Sequence, residues 1–99
     1  MNEIKRLILK LESPNLVYLD THTFKARKVS DPKNGTLKQF PSYTVKGIVC
    51  MSYKHDSGFI NYHYITMSPL FDIETQVSFL NTEIRIFNSK YNIDLPQIK

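Results

Sequence analysis

The 99-residue sequence predicts an α+β fold, a two-layer sandwich with an antiparallel sheet of three or four strands and the N- and C-terminal helices packed on one face. Three observations predict it. Ile4, Leu7, Ile8 and Leu11 recur at helical spacing near one end, and Ile73, Val77, Leu80, Ile84, Phe87 and Tyr91 do so near the other. The residues between are rich in β-branched and aromatic side chains, with turn residues among them. The expected element order is α-β-β-(β)-β-α in one domain, residues 1–99, able to bury roughly two-thirds of its unfolded surface.

The first helix ends at Ser13-Pro14-Asn15, because proline cannot continue the hydrogen-bond ladder and restricts the residue before it. About ten residues of helix are marginal alone, so this one must dock on the sheet. Leu16 to Val29 reads as a strand with a bend near Asp20. Asp31-Pro32-Lys33-Asn34-Gly35 is a turn cluster in which Asn34-Gly35 supplies positive φ cheaply. Thr36 to Phe40 reads as a short strand that Pro41 confines to an edge.

A hairpin spans Ser42 to Met67, turning at His55-Asp56-Ser57-Gly58. A two- or four-residue loop pairs Lys54 with Phe59, Met51 with Tyr62 and Val49 with Tyr64. That register gathers Val49, Met51, Tyr53, Ile60, Tyr62 and Tyr64 on one face for burial. Lys46, Ile48, Cys50, Ser52, Lys54, Phe59, Asn61, His63, Ile65 and Met67 share the other. Ser68-Pro69 reads as the start of the last helix, with serine as N-cap and Asp72 and Glu74 at the positive dipole end. Its apolar stripe is about 80° wide, and Asn92 stops it.

Charge is the strongest functional signal. Lys25, Arg27, Lys28, Lys33, Lys38, Lys46 and Lys54 face one acid, Asp31, within a span of +6 in a chain of net charge +4. The stretch from Pro69 to Asp94 carries a local −2, from Asp72, Glu74, Glu83 and Asp94 against Arg85 and Lys90. Such asymmetry gives a directional field. The absence of a long apolar run excludes a membrane-spanning helix. The N-terminal stretch Met1 to Lys10, with an apolar run of only Leu7 to Leu9 and no small-residue cleavage site, is not expected to be a signal peptide. A single cysteine excludes an intrachain disulfide, and a cytoplasmic location is expected. The high Ile, Lys and Asn content is what AT-rich codons produce, as in low-GC bacteria and their phages.

No motif fixes a chemistry. Cys50 and His63 fall opposite each other in the expected register, but no carboxylate stands behind the histidine. His22, His55, Asp56 and His63 lack metal-ligand spacing, and Gly35, Gly47 and Gly58 are too isolated to cradle a phosphate. No catalytic residue, metal or cofactor is therefore expected. The element order is that of double-stranded-RNA-binding domains. Those domains open the last helix with lysines, whereas here it reads Ser68-Pro69-Leu70-Phe71-Asp72-Ile73-Glu74, and no family is assigned.

The expectation is a non-enzymatic binding module. Its basic sheet surface contacts nucleic acid, alone or within a nucleoprotein machine, through Lys25, Arg27, Lys28, Lys46 and Lys54, with Phe59 and His63 as rings beside them. The alternative is a phage or mobile-element type inhibitor or adaptor, whose basic face seeks an acidic patch on a host protein. Its apolar anchors are Phe59 or the pair Phe79 and Ile86, which lie seven apart and about 120° from the buried stripe. Either the N-terminal helix covers that pair, or a partner does; a homodimer through the C-terminal helix is one such outcome.

Overall fold

The computed structural model describes residues 3–30, 33 and 35–99. It contains α1 (Glu3–Leu11), β1 (Leu16–Phe24), β2 (Arg27–Ser30), β3 (Leu37–Phe40), β4 (Tyr43–Lys54), β5 (Ile60–Ile65) and α2 (Ile73–Tyr91). The expected α+β class is the one observed. An antiparallel sheet in the order β1-β4-β5 carries both helices on one face, and β2 and β3 form a separate antiparallel ribbon.

Ile4 and Ile8 of α1 are buried, as their spacing requires, and Glu12 ends the helix at φ 51° just before Ser13-Pro14. The long strand expected from Leu16 to Val29 is instead two strands, broken at Lys25-Ala26. β1 lies beside β4, whereas β2 turns away to pair Arg27 with Phe40 and Ser30 with Leu37. Of the turn cluster that follows, Asp31, Pro32 and Asn34 lie outside the described residues; Gly35 has φ +67°.

The β4–β5 hairpin forms where expected but one residue out of register. Val49 pairs with Ile65, Met51 with His63 and Lys54 with Ile60. The cause is in the turn. His55 N–H donates to the Phe59 carbonyl at 2.7 Å, and Gly58 N–H donates to the His55 carbonyl at 2.9 Å. Gly58, at φ +94°, is the extra residue of a bulged turn, which shifts the returning strand by one. That shift turns every β5 side chain to the other face. Ile65 enters the core, while Tyr62 and Tyr64 leave it for the face away from the helices.

The core is made by Ile4, Ile8, Leu16, Val49, Met51, Ile65, Leu80, Ile84 and Phe87, joined by Leu95 and Ile98. Helix α2 starts later than expected. Asp72, not Ser68, is the N-cap, its carboxylate accepting from Thr75 N–H at 2.8 Å, while Ser68 to Phe71 make a turn. The Thr75 hydroxyl, and then its backbone N–H, hold the Asp72 carboxyl below its usual range. Asn92 closes the helix in the left-handed region at φ 53°. The chain then runs back along α2. The Asn88 side chain accepts from Leu95 N–H (2.9 Å) and donates to its carbonyl (3.1 Å), and Asn81 does the same to Ile98 (2.8 and 3.0 Å). Two asparagines seven apart thus hold an extended tail as a neighbouring strand would. No helix among the described residues is long and apolar enough to cross a membrane.

Gly47 sits inside β4 at φ +70°, and a Cβ there would lie 2.8 Å from the Tyr18 hydroxyl oxygen. An L-residue in this conformation is strained by about 1–2 kcal/mol. Gly47→Ala is therefore expected to lower the unfolding free energy by that amount, read as a fall in the urea midpoint at an unchanged denaturant slope. An unaltered midpoint would show that the backbone relaxes without penalty.

Candidate nucleic-acid interface

The sheet face opposite the helices is open, and the residues on it follow from Gly47. From Leu16 to Leu19, β1 pairs with β4 so that Tyr18 and Val49 face the helices, while Val17 and Leu19 share the outer face with Cys50 and Ile48. Pairing resumes at Thr21↔Lys46 with the same offset, yet it is His22 and Phe24 that reach Tyr64 on the outer face. The alternation therefore changes face where Asp20 stands opposite Gly47. Asp20 itself faces α1, forming a 2.9 Å ion pair with Lys5.

The result is a continuous run of rings across three strands. Tyr62 lies 6.1 Å from Tyr64 at an interplanar angle of 19°, and Tyr64 stacks on His22 at 4.6 Å and 25°. Phe24 meets both His22 (4.6 Å) and Tyr64 (5.1 Å) edge-on, and stacks on Tyr43 at 4.9 Å and 23°. Beneath these rings Ile48 and Cys50 are buried. Burial pushes the Cys50 thiol up and neighbours it with Tyr64, so it is a packed side chain of this layer. The outermost rings are open: Tyr43 and Tyr62 are each 56% exposed.

At the Tyr43 end the rings run into the basic ribbon. Phe24, Lys25, Arg27, Phe40, Pro41 and Tyr43 line a cleft of about 410 Å³, and the Arg27 guanidinium lies 5.2 Å from the centre of the Phe40 ring. On the ribbon, Arg27, Val29, Lys38 and Phe40 share one face, and Lys28 and Leu37 take the other. Among the described residues no carboxylate forms an ion pair with Lys25, Arg27, Lys28 or Lys38. Their charge is uncompensated by contact.

The expected site residues do not form one patch. Lys25 and Arg27 meet at the cleft, with Lys28 close by on the ribbon. Lys46 projects to the helix side, lining a pocket with Glu3, Tyr18 and Ile73. Lys54 and Phe59 sit at the opposite end of β4, about 36 Å from Tyr43 at ~3.3 Å per residue. Phe59 there approaches the His55 ring at 5.9 Å and is 65% exposed. His63 also faces the helices, its Nε2 2.9 Å from a Glu83 carboxylate oxygen and its ring parallel to Phe87. Cys50 pairs with Tyr64, so Cys50 and His63 occupy opposite faces and the couple expected from the register is not formed. The described residues contain no group of three His, Cys, Asp or Glu side chains able to hold a metal ion. Phe79 and Ile86 remain 39% and 57% exposed, so α1 does not cover them.

Sequence reasoning missed His22, Phe24, Phe40, Tyr43, Tyr62 and Tyr64 as surface residues. The alternations His22-Thr23-Phe24 and Tyr62-His63-Tyr64 were visible, but their facing depends on Gly47 and on the bulge at Gly58. The chain matches no known protein family, no curated protein and no solved structure.

Proposed function

We propose that this protein is a non-enzymatic binding module that engages single-stranded nucleic acid on its outer sheet face. The observation that carries this reading is the run Tyr62, Tyr64, His22, Phe24 and Tyr43 leading into the basic cleft of Lys25, Arg27 and Phe40. Rings offer a π-face to any base, and cations beside them track the phosphates, a combination that binds with little sequence preference. Arg27 over Phe40 adds a planar, always-charged group at the same spot. Lys28 and Lys38 extend the field along the ribbon, whereas Lys46 and Lys54 contribute only at a distance. A second copy docked through α2 would lengthen this face.

Anisotropy of a labelled single-stranded oligonucleotide tests the reading. Affinity is expected to fall linearly on a log–log plot against salt. Lys25→Gln and Arg27→Gln should each lower the slope by about 0.7, the value for single strands. Affinity that stays constant from low to moderate salt, or no binding at all, would refute it.

The alternative, a phage-like inhibitor or adaptor acting on an acidic host protein, is favoured by the ribbon itself. Leu37 is 68% exposed and Val29 43%, beside Lys28 and Lys38, so the ribbon presents apolar and basic groups together. An oligonucleotide that fails to bind, beside one protein retained in stoichiometric amount on the immobilised chain, would select this reading.

A further inference from the structure

Strand β5 is one edge of the main sheet, and it lacks the features that usually guard an edge. Ile60-Asn61-Tyr62-His63-Tyr64-Ile65 contains no lysine, no proline and no bulge. The bond from His55 N–H to the Phe59 carbonyl makes that pair a hydrogen-bonded one. Alternation along an antiparallel ladder then bonds Asn61, His63 and Ile65 to β4. Ile60, Tyr62 and Tyr64 therefore turn their N–H and C=O groups away from the sheet.

Helix α2 runs antiparallel to β5 on the inner face. Its start lies by Met67, its middle meets His63 through Glu83 and Phe87, and its end stacks Tyr91 on Tyr53. The exposed pair Phe79 and Ile86 lies on the side of α2 that also carries Asp72, Glu83 and Lys90, since these positions fall within about 40° of Phe79 at 100° per residue. Ile86 and Lys90 also border β5, lining a cleft with Asn61, Tyr62 and His63. One side of the molecule thus combines an open strand edge with an apolar helix stripe that is acidic at its start and basic at its end.

We propose that this side is a two-fold interface with a second copy of the chain. Antiparallel self-pairing of β5 about Tyr62 sets Tyr62 against Tyr62 of the second copy, Ile60 against Tyr64, and Asn61 against His63. The bonded positions match, and inner-face residues meet inner-face residues. The same two-fold lays the α2 helices antiparallel, with Phe79 against Ile86 and each Asp72 within reach of the other copy's Lys90. Both centres of symmetry fall at the level of the His63–Glu83 contact. Strand and stripe are therefore satisfied by one operation, as an isologous interface requires. The product is a six-stranded sheet, with the rings of both copies on one outer face.

Light scattering during size-exclusion chromatography should give twice 11.6 kDa for the wild-type chain at micromolar concentration. Phe79→Asp combined with Ile86→Asp should return it to 11.6 kDa with an unchanged circular dichroism spectrum. Independently, hydrogen exchange on the wild-type chain should show the amides of Ile60, Tyr62 and Tyr64 gaining protection as concentration rises. A monomer at every concentration overturns the proposal. So does a dimer indifferent to both substitutions, or one whose three amides exchange at a rate independent of concentration.

Discussion

A chain ending at Ile93 will be less stable than the full chain by about 3–6 kcal/mol, the loss of two buried aliphatic side chains. Leu95 and Ile98 are 7% and 3% exposed and belong to the core between the two helices. Removing them takes two members out of the buried cluster that also holds Ile4, Leu80 and Ile84. A domain of this size has only about 5–15 kcal/mol in hand, so the shortened chain is expected to be partly unfolded at room temperature. Asn88→Ala is the finer version. It leaves the Leu95 N–H and carbonyl without their side-chain partners, at about 1–3 kcal/mol. Chemical denaturation followed by circular dichroism reads both. A truncated chain with the wild-type midpoint would mean that the tail rests on the core without stabilising it.

Replacing Phe40 and Tyr43 together with alanine should weaken single-strand binding by roughly 30-fold or more, since each stacked base contributes about 1–3 kcal/mol. Both rings line the cleft beside Arg27, and both are substantially exposed, so the fold should survive. Phe59→Ala is the matching control: an exposed ring equally available for stacking, but at the far end of β4. Its affinity should stay near the wild-type value. Equal losses at the two ends would mean a footprint spread along the whole sheet. No loss from the double substitution would remove the stacking role of the cleft.

Both helices were legible because their signals are local. The 4-3-4-3-4 stepping of α2 describes its own buried face, and Leu80, Ile84 and Phe87 are buried accordingly. The facing of the strands was not, because a period of two has no tolerance: one extra residue at Gly58 exchanged Tyr62 and Tyr64 for His63 and Ile65. Gly58 after Asp56-Ser57 was the available clue, as a glycine in that place suits the bulged turn. Charge density marked a basic span from Lys25 to Lys54, but composition carries no direction. Lys46 and Lys54 left the patch because Gly47 turns one inward and strand length carries the other away. The tail was unreadable for a different reason. Asparagine seven apart on a helix is ordinary surface composition until a passing backbone accepts both amides.

The outer rings also act on one another before any ligand arrives. His22, Phe24 and Tyr64 are each held by two or more neighbouring rings and roof over Ile48 and Cys50. Side chains fixed this way have already surrendered their rotamer entropy to the fold, so a planar partner settling on them meets a floor laid in advance. Docking there should spend little of its free energy on ordering the protein, and the affinity of this face is then set by what the partner itself must give up.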